Sequence, residues 1–204
     1  MTESLAISFR GDRTYLHGTD LYSAVHSAFL RELEAEALTD IRFKIPQFYR
    51  RPVVLEITPG IHGSAVLQCS ANAQVWSGHL HDDPSAPAPQ RVAFDEDAIM
   101  QAMRVSGRTA EFTSEGRWTA IERIVFLGKF LNIHLDPPAA EKQWVFTQLE
   151  LDRSLRNDAE VSVEFGSALE DFFTKSAVLI SGVKCGSVYF AKVDRVSHEM
   201  RGLK

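Results

Sequence analysis

At 204 residues, 45% of them hydrophobic and 24% charged, with 12 glycines and 8 prolines, the chain has globular composition and room for one large domain or two small ones. Twenty-seven acidic residues against 22 basic ones give a net charge of -5, which argues against a nucleic-acid partner held by phosphate neutralisation. Cys69 and Cys185 are too few for a disulfide framework and have no CxxC spacing, so they read as small core residues in a reducing cytosol.

The first residues carry Glu3 and no apolar core of signal-peptide length, and no apolar run approaches the roughly 18 residues that cross a bilayer. A soluble, cytoplasmic protein without a membrane partner is expected. Leu5 to Phe9 and Arg13 to His17 have strand character, and Thr19 and Asp20 offer an N-cap. Leu21, Val25, Ala28, Phe29 and Leu33 then recur at helical spacing. Ile41 to Ile45, Pro52 to Ile57 and a long stretch from Ser64 through Leu80 read as strands. Residues 1–83 thus form a β-α-β-β-β unit.

Pro84, Pro87 and Pro89 cannot donate to a helix or a sheet ladder, so a connector with a short helix is expected over 84–104. Residues 105–204 repeat the element order. A second helix carries Ile121, Ile124, Val125, Gly128 and Leu131 on one face, Gln143 to Leu151 alternates as a strand, and Ala159 to Phe165 alternates again. Phe165 to Phe173 suggests a short aromatic helix packed across the second sheet. Ser64-Ala65-Val66-Leu67 recurs as Ser176-Ala177-Val178-Leu179, and Tyr22-Ser23-Ala24-Val25 is echoed by Trp118-Thr119-Ala120-Ile121. The two recurrences lie 112 and 96 residues apart and point to internal duplication. The fold class is α+β.

Two β-α-β-β-β units, each with one long helix after the first extended segment, resemble the hotdog fold, in which an antiparallel sheet wraps a central helix. Together they resemble a double hotdog, a pseudo-dimer in one chain. Ile41-Arg42-Phe43-Lys44-Ile45-Pro46 followed by Arg51 to Ile57 is similar to the strand, turn and strand after the central helix of acyl-thioester hotdog enzymes. The resemblance implies an acyl-CoA or acyl-carrier-protein substrate, lying in the seam between units with its carbonyl at a helix N-terminus. It implies dehydratase-like acid–base chemistry or thioester hydrolysis. The alternative is a non-catalytic module that holds an acyl or other apolar ligand, or a partner protein. A monomer or a homodimer fits, and no cofactor is implied.

In such dehydratases a His before the helix works with a helix carboxylate. Here that segment is Tyr15-Leu16-His17-Gly18-Thr19-Asp20, without the Pro-Gly that leads into the helix in dehydratases. His17, with an ordinary pKa near 6.5, suits proton transfer at neutral pH. Gly18 permits close backbone approach to a ligand, Asp20 sits in the first turn, and Thr19 and Tyr22 flank them. In the second unit His17 corresponds to Thr113, so the site is expected to be single. Glu115 at the helix start and Glu122, at the position equivalent to His26, are the candidate carboxylates there. Tyr49-Arg50-Arg51 could grip the phosphate of a pantetheine arm, with Arg50 and Arg51 as its cations. His79 and His81 share a strand face, but they adjoin the proline connector, and no metal is expected there.

Overall fold

In a computed structural model, which describes residues 1–113, 118–169 and 172–194, three helices and thirteen strands follow in chain order. The helices are α1 (Gly18–Glu32), α2 (Glu96–Gln101) and α3 (Ala120–Leu135). Before α2 lie β1 (Thr2–Leu5), β2 (Phe9–Arg10), β3 (Thr39–Lys44), β4 (Val53–Pro59), β5 (Leu67–Ala71), β6 (Gln74–Asp82) and β7 (Arg91–Val92). After it come β8 (Met103–Ser106), β9 (Thr109–Phe112), β10 (Lys142–Arg153), β11 (Val161–Leu169), β12 (Phe173–Ile180) and β13 (Val183–Asp194). Eleven strands form one antiparallel sheet in the order β1-β4-β6-β5-β3-β10-β13-β12-β11-β9-β8, while β2 and β7 pair separately and in parallel. The two halves join at β3 and β10, where Phe43 faces Leu149 and Ile41 faces Leu151.

One large antiparallel sheet with few helices fits the hotdog resemblance, and both long helices bury apolar side chains. The apolar stripe of α1, Leu21, Tyr22, Val25, Ala28 and Phe29, is buried, with the Phe29 ring against Gly78 of β6. Helix α3 is apolar on more than one face and lies deeper: Ile121, Ile124, Val125, Phe126, Leu127 and Leu131 are all buried. Its start is fixed by a capping box in which Thr119 and Glu122 satisfy each other's backbone amides. Helix α1 begins two residues earlier than a Thr19 cap predicts. His17 is its N-cap residue in extended geometry, and no side chain caps the helix.

Three departures from the expected elements have local causes. The stretch from Ser64 through Leu80 is two strands, because Asn72 and Ala73 both take positive φ (50° and 60°) and make a two-residue hairpin turn. The Asn72 side chain ties that turn to the end of α1 through the Leu33 carbonyl at 2.8 Å. In β10 a bulge between Phe146 and Gln148 reverses the alternation, so Trp144 and Phe146 face inward together with Leu149 and Leu151. The described residues of 165–173 form no α-helix across the sheet. They include the end of β11, bulged at Gly166 where a Cβ would stand 2.8 Å from the Lys175 carbonyl oxygen, and the start of β12.

The two halves also differ in strand order. After its helix the first half places its strands β3-β5-β6-β4 outward from the join, whereas the second places them β10-β13-β12-β11. The two Ser-Ala-Val-Leu segments occupy different places: residues 64–66 precede β5, and 176–179 lie within β12. Trp118 precedes α3 while Tyr22 lies inside α1. Aligned on their first residues, the helices correspond at a spacing of 102, so Thr119 matches His17 and Glu122 matches Asp20, in place of Thr113 and His26.

Candidate functional site

The N-terminal turns of α1 and α3 meet under a strap formed by β2, β7 and the start of α2. Hydrogen bonds from Phe9 N–H to the Gln90 carbonyl (2.7 Å) and from Gly11 N–H to the Val92 carbonyl (2.9 Å) hold the strap together. They place Arg10 over both helix starts. Its Nε donates to Asp20 Oδ2 at 2.5 Å, one terminal nitrogen donates to Asp20 Oδ1, and the other lies 2.6 Å from Glu122 Oε1. A single guanidinium therefore spans the matched third residues of both helices. Both carboxylates also complement the positive ends of the helix dipoles.

Charge and burial compete at this cluster. Burial lifts the Asp20 carboxyl above its usual range although Arg10 pulls the other way. Burial also acts to raise Glu122, but the Thr119 amide and Arg10 outweigh it and hold that carboxyl below its usual range. The cluster forms the polar wall of a cleft of about 800 Å³ whose other walls include Ile7, Ala24, Phe94, Ile99 and Trp118. A second cluster closes the neighbouring surface: Glu96 at the start of α2 accepts from Arg13 at 2.5 Å and from Lys129 of α3.

His17 lies on the other side of Phe94. Its ring is nearly parallel to Phe126 of α3 at 6.0 Å and tilted against Phe94 at 5.9 Å. Its Nδ1 is 2.7 Å from Oγ1 of the fully buried Thr19, and among the described residues its Nε2 has no hydrogen-bond partner. Burial pushes the imidazole well below its ordinary value, and the nearby charges of Arg13, Arg10 and Lys129 add to that, so the ring is neutral at pH 7. The cavity beside it measures about 60 Å³ and is lined by Phe48, Val125, Phe126, Phe146 and Phe190 among others.

The expected residues are thus separated. Asp20 and Glu122 meet each other through Arg10, while His17 occupies a different cavity. Gly18 is needed for close approach, but its neighbours are protein: a Cβ would stand 2.7 Å from Ile45 Cδ1 and 2.8 Å from Phe146 Cδ1. Tyr22 is a core residue, 4% exposed, edge-on to Phe43 at 5.3 Å, and it does not line the His17 cavity. Arg50 and Arg51 are exposed between β3 and β4 and line neither cavity. Glu115 lies outside the described residues.

Cys69 and Cys185 are free and buried, and burial pushes the Cys69 thiol up to about 12. His81 pairs with Glu56 at 3.5 Å, and His79 sits beside Ser64 and His62, with no group able to hold a metal among the described residues. No helix among the described residues is long and apolar enough to cross a membrane.

Arg10, Phe94 and Lys129 were not signalled by the sequence. Arg10 ends a strand-like run, Phe94 follows the proline connector, and Lys129 reads as one charge on an amphipathic helix. Nothing in their spacing links residues up to 119 positions apart.

No protein-family model matches the chain, and no curated protein does. Solved structures similar to it include a 12:0-ACP thioesterase from Umbellularia californica, with 9% identity, 96% of this chain and 97% of that one covered, and a TM-score of 0.49. The tesB protein of Mycobacterium avium subs paratuberculosis is 10% identical over 91% and 89% of the two chains, with a TM-score of 0.47. An erythromycin dehydratase is 15% identical over 94% and 89%, with a TM-score of 0.42.

Proposed function

We propose that the protein acts on an acyl thioester, with His17 as its proton-transfer group. One observation carries this reading: a neutral imidazole, held at Nδ1 by Thr19 and open at Nε2, at the start of a central helix and against the other helix. In the tautomer whose Nδ1–H donates to Thr19 Oγ1, Nε2 takes a proton from the carbon beside a thioester carbonyl, and the electron pair moves onto the carbonyl oxygen. Backbone amides of the first turn of α1, at the positive end of its dipole, stabilise that oxygen. Proton abstraction of this kind begins dehydration of a hydroxyacyl thioester, in which the imidazolium formed hands its proton to the departing 3-hydroxyl so that it leaves as water. It is favoured over hydrolysis because a His is the group best placed, acting here without the helix carboxylate that accompanies it in dehydratases. Asp20 and Glu122 both position Arg10, which with Phe94 separates the roomy cleft from the imidazole. In this reading the acyl group enters from the cleft when Phe94 turns aside.

A second reading has its own support. A cavity of about 60 Å³ beside His17 is far below the ~300–1,000 Å³ of ordinary ligand pockets, which favours a non-catalytic module that holds its acyl ligand in the cleft. Turnover of a panel of hydroxyacyl and acyl thioesters, on CoA and on a carrier protein, separates the two. The catalytic reading expects turnover by the native protein and a loss of at least about a hundredfold in His17→Gln. Full turnover in His17→Gln refutes it. A co-purified acyl ligand seen by native mass spectrometry, with no turnover of any thioester, supports the binding module.

A further inference from the structure

A second cavity lies at the start of α3, opposite in its helix contributions to the one beside His17. The His17 cavity is built from the first turn of α1 and from Val125, Phe126 and Lys129 of α3. Its counterpart is built from the first turn of α3, Thr119 to Ile121, and from Tyr22, Ser23, His26 and Ser27 of α1. Shifted by 102, Ser23 and Ser27 stand where Val125 and Lys129 stand in the other cavity. Leu155 and Asn157, between β10 and β11, complete it. The two differ in what fills them. Aromatic rings crowd the His17 cavity, whereas the serines leave the second one about 330 Å³, within the range of ligand pockets.

Its polar groups are held in place from behind. His26 Nε2 lies 3.1 Å from Ser154 Oγ. That hydroxyl accepts from Leu38 N–H at 2.8 Å and donates to the Leu38 carbonyl at 3.1 Å. When the Ser154 proton is on the Leu38 carbonyl, Ser154 accepts from His26 Nε2, and in that tautomer Nδ1 is an acceptor. The His26 ring is stacked on Tyr22 at 5.4 Å, which fixes its plane. Asn157 Oδ1 takes the Ala120 N–H at 3.0 Å, and its carbonyl takes Arg123 at 2.5 Å. Among the described residues, no carboxylate lines the cavity.

From this arrangement we infer that the cavity at the start of α3 is a second ligand site. It takes an uncharged acyl or pantetheine-like segment that donates a hydroxyl or amide hydrogen to His26 Nδ1. Burial lowers the basicity of His26, which keeps that acceptor unprotonated at pH 7. This inference rests on the acyl-thioester reading, so its test must fail separately from it.

The probe is a non-hydrolysable 3-hydroxybutyryl-pantetheine thioether, titrated into the full chain while the imidazole resonances of His17 and His26 are followed by NMR. The expected result is a saturable shift at His26, with or without one at His17, and at least a tenfold weaker shift in Ser27→Trp. Ser27 is exposed, so the indole narrows the mouth without entering the core. A shift at His17 alone overturns the second site and leaves the acyl-thioester reading standing. A His26 shift that Ser27→Trp does not weaken places the ligand elsewhere and overturns the assignment. No shift at either ring overturns both.

Discussion

Replacing Arg10 by methionine leaves Asp20 and Glu122 facing the cleft with no shared cation. Removing one partner of a fully buried ion pair costs about 3–5 kcal/mol, and breaking an exposed one costs about 0–1. The side chains of Arg10, Asp20 and Glu122 are 13%, 24% and 12% exposed, nearer the buried limit. Arg10 also lies 4.8 Å over the Phe94 ring, a cation–π contact of about 0.5–1 kcal/mol. After a discount for solvent, the expected loss at pH 7 is about 2–3 kcal/mol. For a chain of this size that is a fall of roughly 4–12 °C in melting temperature.

The pH dependence tests the cause. In the variant both carboxyls are desolvated without a counter-charge, so their folded pKa values rise above the unfolded values near 3.8 and 4.5. A raised acid destabilises the fold fully above its folded pKa and not at all below its unfolded one. Urea unfolding should therefore show native and variant far apart at pH 7 and converging towards pH 4. Arg10→Met/Asp20→Asn should recover about half of the pH 7 loss. An equal gap at both pH values, or a gap under about 0.5 kcal/mol at pH 7, would refute the ion-pair account.

Protonation of His17 should set a second pH limit. Its folded pKa lies below 6.5, so the unfolded chain binds the extra proton and stability is lost as pH falls below that value, by up to about 1.4 kcal/mol per pH unit; His17→Gln should flatten the slope in denaturant titrations. Gly18→Ala forces a methyl against Ile45 and Phe146 and should cost about 1–3 kcal/mol by urea melt. Ser154→Ala should cost about 1–3 kcal/mol, because the fully buried Leu38 loses a partner for its N–H and its carbonyl; an unchanged denaturation midpoint would argue against that latch. Phe94→Ala joins the cleft to the His17 cavity, so bulkier acyl thioesters should bind more tightly in calorimetry, and unchanged affinities would mean that Phe94 is no partition.

Both long helices were legible because their apolar residues recur at helical spacing, and a large antiparallel sheet with few helices agrees with the strand-rich reading of the rest. Periodicity failed where the backbone changes parity or direction. The bulge in β10 brings Trp144 and Leu149 to the same side, and Ala73 accepts a positive φ that glycine would have announced. His17 could be singled out because a helix start is a local feature written in neighbouring residues. Its separation from Asp20 and Glu122 could not, because Arg10 reaches those acids only after β2 pairs with β7. The cavity volumes likewise depend on side chains from segments far apart in the chain. By itself, the sequence determined two helices, their apolar faces and a candidate imidazole, since each depends on residues within a turn or two. Tertiary structure decided the strand order, the partners of the charges and which cavity stays open, since those depend on packing between distant segments.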